Sequence, residues 1–145
     1  MKVRCEANRI EQLAWWIDLK ACVEDRFRYP DGILNLDVGR EYVVHGLVLT
    51  SLCTWVFVCE DDDGEYPYLY PMPLFSLVDA HIPNHWEMGQ ATRPFASRHC
   101  HVIAVVSYRE LATDPAHYGA SVDGDARARA RFAQHKHTVD VSRLG

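Results

Sequence analysis

The densest group of chemically capable side chains is the acidic run Glu60-Asp61-Asp62-Asp63-Gly64-Glu65. Asp61, Asp63 and Gly64 within it resemble part of a calcium loop. Setting Gly64 at the sixth position of such a loop puts Cys59 at the first and Tyr70 at the twelfth. Both positions require acidic oxygen donors, so the calcium reading fails. What remains is a solvated hairpin tip, or a contact surface in which Asp61, Asp62, Asp63 and Glu65 steer a cationic partner. Histidines are the next candidates. His99 and His101 alternate, so on a strand they face one side, and His135 and His137 flank Lys136. Two histidines fall short of the three or four ligands that a zinc site takes. A small metal protein or enzyme built on His99 and His101 stays open as a minor alternative, but the expectation is no metal and no cofactor.

Nucleophilic and phosphate chemistry find little support. There is no G-x-S-x-G elbow, no G-x-x-x-x-G-K-[ST] loop and no G-x-G-x-x-G. The five cysteines, Cys5, Cys22, Cys53, Cys59 and Cys100, include no C-x-x-C pair, and four of them lie in apolar runs. They read as buried, reduced thiols. The chain is therefore read as non-catalytic. Tyr66, Tyr68 and Tyr70 alternate, which places them on one face of a strand, with Pro67, Leu69 and Pro71 on the other. Tyrosine brings a large ring and one polar tip, so the three form either a contact strip or part of a packed surface. The flanking prolines suit an edge strand. Arg127, Arg129 and Arg131 fall around a helix rather than along one stripe, as on a solvated face.

The elements that must position these residues follow from periodicity. Lys2–Cys5 reads as an opening strand. Ile10, Leu13, Ala14, Ile17 and Ala21 recur at helical spacing and predict one helix over about 9–25, capped by Asn8, with one of Trp15 and Trp16 facing outward or under a neighbour. Pro30-Asp31-Gly32 marks a turn. Strands are then expected over 41–49, 54–59, 66–70, 76–79, 86–88 and 99–107. Thr113-Asp114-Pro115 opens a helical third, Asp123-Gly124-Asp125 breaks and recaps it, and Ala126, Ala130, Phe132 and Ala133 carry a short helix to about His137. The last eight residues read as loose. The result is an α+β fold in which a small antiparallel β-barrel or curled sheet carries an inserted N-terminal helix and C-terminal helices.

At 145 residues the chain is expected to be one domain, with residues 1–112 as helix plus β-core and 113–145 as a helical extension. Hydrophobic residues are 48% and charged residues 24%, which suits a packed globular chain rather than a disordered one. A net charge of −5 weighs against a nucleic-acid partner and suits a basic protein partner. Met1–Glu6 has no signal-peptide core, and no apolar run approaches the ~20 residues of a membrane span. The expectation is a cytoplasmic protein with no membrane partner.

Several of these segments together resemble a known group. Met1-Lys2-Val3-Arg4-Cys5, Leu36-x-x-Gly39-Arg40-x-Tyr42-x-Val44, the strand ending in Asp61-Asp62-Asp63-Gly64, and Tyr70-Pro71-x-x-Leu74-Phe75-x-x-x-Asp79 are similar to small bacterial and phage proteins with an SH3-like barrel. Pro83-x-x-Trp86 and the helical tail extend the likeness to immunity proteins of polymorphic-toxin and contact-dependent growth inhibition loci. The resemblance implies a barrel in which the Gly39 element opens a strand and the Tyr70-Pro71 element turns into the closing strand. It also implies a protein that binds and neutralises a cognate toxin domain. A stand-alone SH3-like binding module of phage or mobile-element origin is the alternative that the same residues allow.

Overall fold

The computed structural model describes residues 1–27 and 30–144. It is an α+β fold with two antiparallel sheets. Strand β1 (Lys2–Cys5) is followed by a single 3-10 turn (Ile10–Leu13) and helix α1 (Ile17–Arg26). Then come β2 (Glu41–Val43), β3 (Gly46–Thr50), β4 (Thr54–Val58) and β5 (Tyr68–Pro71). A 3-10 turn (Met72–Leu74) leads into β6 (Phe75–Asp79) and β7 (Glu87–Gly89), and another (Arg93–Phe95) into β8 (Val102–Ser107). Helices α2 (Arg109–Thr113), α3 (His117–Val122) and α4 (Ala126–Leu144) complete the chain. One sheet has the order β2-β1-β6 and the other β5-β4-β3-β8-β7.

The chain passes between the sheets twice. The apolar run expected as one strand over 41–49 divides at Val44–His45, because its first half pairs with β1 (Val3 opposite Tyr42) and its second with β4 and β8 (Val48 opposite Trp55 and Val105). The second passage is the Met72–Leu74 turn, where Pro73 cannot supply a ladder donor. The sheets do not join into a closed barrel. A single cluster of buried residues runs through both, from Val3, Leu36 and Tyr42 to Val56, Phe57, Phe95 and Phe132. Strand β4 is buried on both faces, which explains its unbroken Trp55-Val56-Phe57-Val58 run.

The single helix over 9–25 is corrected to two pieces. Ile10 and Leu13 bury one face, whereas Leu19, Cys22 and Val23 bury the next. Leu19 lies six residues beyond Leu13, about two-thirds of a turn off the first face, so a straight helix could not bury both sets. The break falls at Trp15, which is exposed, and Trp16, which is half-buried against the core. Asn8 does not cap the segment with its side chain, which instead donates to the Leu36 carbonyl at 3.0 Å.

The helical tail begins at Arg109 rather than at residue 113, and Pro115 sits between α2 and α3 rather than inside a helix. Asp125 does cap α4, its Oδ1 accepting from the Ala128 amide at 2.8 Å. That helix runs well past His137, so the final residues as far as 144 are helical, not loose. Ala128, Phe132, His135 and Val139 form the buried stripe that holds it on the sheet. Among the described residues no helix is long and apolar enough to cross a membrane.

Candidate functional site

The acidic turn is shaped by Gly64. Its amide donates to the Asp61 carbonyl at 3.0 Å, and a Cβ there would lie 2.9 Å from Cys59 Cβ, so only glycine fits under the loop. The carboxylates of Asp61, Asp62 and Asp63 project into solvent. Their backbone is held from below by cations that lie far away in sequence. Arg40 donates to the Glu60 carbonyl and to Asp62 Oδ1, each at 3.0 Å, with its guanidinium 4.9 Å from the Tyr42 ring centroid. From α4, Lys136 donates to the Asp62 carbonyl, and Arg129 bonds Glu65 while lying over the Tyr66 ring. No ion pair engages the carboxylates of Asp61 or Asp63 among the described residues. The tip is thus a fixed rather than a floppy acidic surface.

On one side of Lys136 the loop and α4 enclose a cleft of about 250 Å³, lined by Arg40, His45, Cys59, Asp61 and Asp140 among others. On its other side a more open groove of about 570 Å³ runs between Asp63, Glu65, Arg129 and His137.

The three tyrosines do not form one exposed strip. Tyr70 is fully buried; its ring stacks on Phe27 with centroids 4.9 Å apart, and its hydroxyl donates to Glu60 Oε1 at 2.6 Å. Tyr70 is therefore a core residue, which corrects its place among candidate contacts. Tyr66 precedes the strand, is half-buried, and shares a 3.0 Å hydroxyl contact with the half-buried Tyr68. Strand β5 is an edge strand, as its prolines imply.

His99 and His101 do not alternate on a strand, because β8 starts only at Val102. His99 Nε2 lies 2.9 Å from Asp25 of α1, which Arg98 also grips with two bonds of 3.0 Å. His101 is exposed. Among the described residues no three or more His, Cys, Asp or Glu side chains are grouped to hold a metal ion. All five cysteines are free, and burial pushes the Cys53 thiol up to about 12 and the Cys59 thiol up to about 11, which leaves both as unreactive thiols.

The chemistry that sequence reading missed is a histidine seam beneath α4. His45, at the bend between β2 and β3, is 2% exposed, and His135 of α4 is 4% exposed. Their rings are 5.8 Å apart. His135 stacks on Tyr108 at 4.4 Å, and its Nδ1 shares a 3.1 Å hydrogen bond with His85 Nε2. His45 packs edge-on to Phe132 at 5.3 Å. His45 Nδ1 and His135 Nε2 find no hydrogen-bond partner among the described residues. Nearby, the Tyr108 hydroxyl lies 2.7 Å from Nε2 of the buried His117. Burial, reinforced by the facing imidazole, pushes His45 down to about 3. Burial and the neighbouring His85 do the same for His135, also to about 3, and burial lowers His117. All three are neutral near pH 7. His135 was visible in the sequence only as a neighbour of Lys136; its position four residues before Val139 and three after Phe132 was the one signal that it faces inward.

No family model matches this chain, and no curated protein or solved structure matches it significantly.

Proposed function

We propose that this chain is a cytosolic immunity protein that binds a cognate toxin domain through protein–protein contact and neutralises it. The observation that carries the reading is the acidic tip. Asp61 and Asp63 stand in solvent, without ion pairs among the described residues, while Arg40, Lys136 and Arg129 hold the loop beneath them. A loop ordered before binding loses less entropy on association, and its clustered carboxylates steer a basic surface toward it. The contact face comprises Asp61, Asp62, Asp63 and Glu65, with Tyr66 and Tyr68 at its flank.

The resemblance to SH3-like barrels belongs to the same proposal. It is supported by the local geometry of the two elements that carry it. Gly39 takes a φ of 89° just ahead of β2, and the Tyr70–Phe75 segment makes a 3-10 turn before β6 pairs with β1. Such elements would also serve a stand-alone binding module that reads short peptides.

The test is co-expression with the product of the adjacent upstream gene, followed by calorimetry of the complex at two salt concentrations. The expected result is a one-to-one complex whose affinity drops at least tenfold with D61K/D63K and whose salt dependence weakens. Unchanged affinity and salt dependence in that variant would remove the acidic tip from the interface. No complex with the folded partner, together with binding of short peptides, would favour the module instead.

A further inference from the structure

Helix α1 is fastened to the segment before β8 by side chains that lie far apart in sequence. Asp25 accepts two hydrogen bonds from Arg98, each of 3.0 Å, and lies 2.9 Å from His99 Nε2. Arg26 donates to the Phe95 carbonyl at 3.3 Å. In the same contact Cys22 Sγ is 3.5 Å from the Ser97 hydroxyl. Cys22 and Cys100 line one cavity together with Arg26, Ser97 and Trp55, and its volume is only about 10 Å³. A space of that size barely holds one water. The two thiols are also in side-chain hydrogen-bond contact with each other.

The remaining cysteines are placed differently. Cys53 couples to Cys22 and Cys100 through charge and takes its hydrogen bond from the Met72 backbone. Cys5 donates to the Ala7 carbonyl, and Cys59 faces the Tyr66 carbonyl. Within the close pair, Cys22 is 2% exposed and Cys100 is half-buried, so a reagent from solvent meets Cys100 first. Burial raises the Cys22 thiol, while the Ser97 hydroxyl and Arg26 act the other way and favour its thiolate.

We propose that Cys22 and Cys100 are a redox pair, closed to a disulfide by exchange with a low-molecular-weight disulfide, which clamps α1 to the segment entering β8. Cys100 gives its thiol proton to solvent, and its sulfur attacks one sulfur of the small disulfide. That S–S bond breaks, and one small thiolate leaves and takes up a proton. Cys22 then loses its proton, and its sulfur attacks the Cys100 sulfur. The mixed disulfide breaks, and the second small thiolate leaves and is protonated. Two protein thiols are oxidised to one disulfide, and one small disulfide is reduced to two thiols. The polar ties of Asp25 and Arg26 hold α1 and the 95–99 segment together before the bond forms, so closure needs no docking step.

The test treats the fully reduced, folded chain with glutathione disulfide and blocks the remaining thiols with an alkylating agent. Peptide mapping without reductant then reads the product. The expected result is a linked Cys22–Cys100 peptide within one chain, reversed by dithiothreitol, with Cys5, Cys53 and Cys59 still open to alkylation after unfolding. C53S should give the same link. C22S should stop at a glutathione adduct on Cys100, and C100S should leave Cys22 unmodified. No Cys22–Cys100 peptide from the wild type would overturn the proposal, as would a link that runs through Cys53 or between two chains. If C22S or C100S does not fold, the wild-type and C53S maps decide by the same criterion.

Discussion

Acidification should unlatch the C-terminal helix, and the size of the effect follows from the seam beneath it. His45 and His135 have an ordinary imidazole value of 6.5 when unfolded and about 3 when folded. Between these limits the unfolded chain binds protons that the folded chain refuses. Stability is therefore intact above about pH 6.5 and is lost progressively as the pH falls toward 3, the direction set by more protons on the unfolded state. Each histidine removes about 1.4 kcal/mol per pH unit across that window, hence about 2 kcal/mol at pH 5 and about 4 kcal/mol for the pair. His117, also lowered by burial, adds in the same direction. Arg131 and Lys136 add positive charge nearby on α4, and His85 faces His135 from the loop before β7. Glu110, Asp114 and Asp125 oppose the trend at His117. Urea midpoints at pH 7 and pH 5, read by dichroism, measure the loss, and a double variant H45N/H135Q isolates its source. The variant is expected to be less stable at pH 7 but to lose at least about 3 kcal/mol less than wild type on going to pH 5. The two charges arrive on opposite sides of the α4–sheet contact. Amides of α4 should therefore lose exchange protection before those of β3 and β4. An equal loss in wild type and variant would refute the assignment of acid sensitivity to this seam.

Two structural predictions test how the seam and the sheet edge are packed. Phe132 is buried between His45 and Tyr108, so F132A should destabilise the fold by about 3–5 kcal/mol in urea titration, whereas A133S on the exposed face should change it by less than about 0.5 kcal/mol. G89A should cost about 1–3 kcal/mol or more, because the obstruction is the backbone carbonyl of Ala112 rather than a side chain that can swing away. Its readout is a lower urea midpoint together with faster exchange of the α2 amides.

Local patterns in the sequence were enough to determine much of the frame. The alternating and β-branched runs around Val3, Val48, Val56 and Val105 did become strands, and Pro30-Asp31-Gly32 did become a turn, with Gly32 at a φ of 67° and Asp31 accepting from the Ile33 amide. Asp125 capped the last helix, and the prolines around Tyr68 marked an edge strand. Each of these depends on residues within one or two turns of chain, so short-range chemistry decides it.

What the tertiary structure alone decided are pairings between distant segments. Nothing in the 41–49 run distinguishes Val44 from its neighbours as the place to change sheets; the partners are β1 on one side and β4 and β8 on the other. Of Tyr66, Tyr68 and Tyr70 only the last two lie on β5, and Phe27 stacks on the buried Tyr70. The acidic run was read as a free surface, and its support by Arg40, Arg129 and Lys136 lay in segments that sequence spacing cannot bring together. The histidine seam joins residues 45, 85, 108 and 135, which share no periodicity. A single imidazole in an apolar run carries no signal of its own. Its character is set when the packing of α4 removes water from both rings at once, and that desolvation is a property of the assembled layers rather than of any segment.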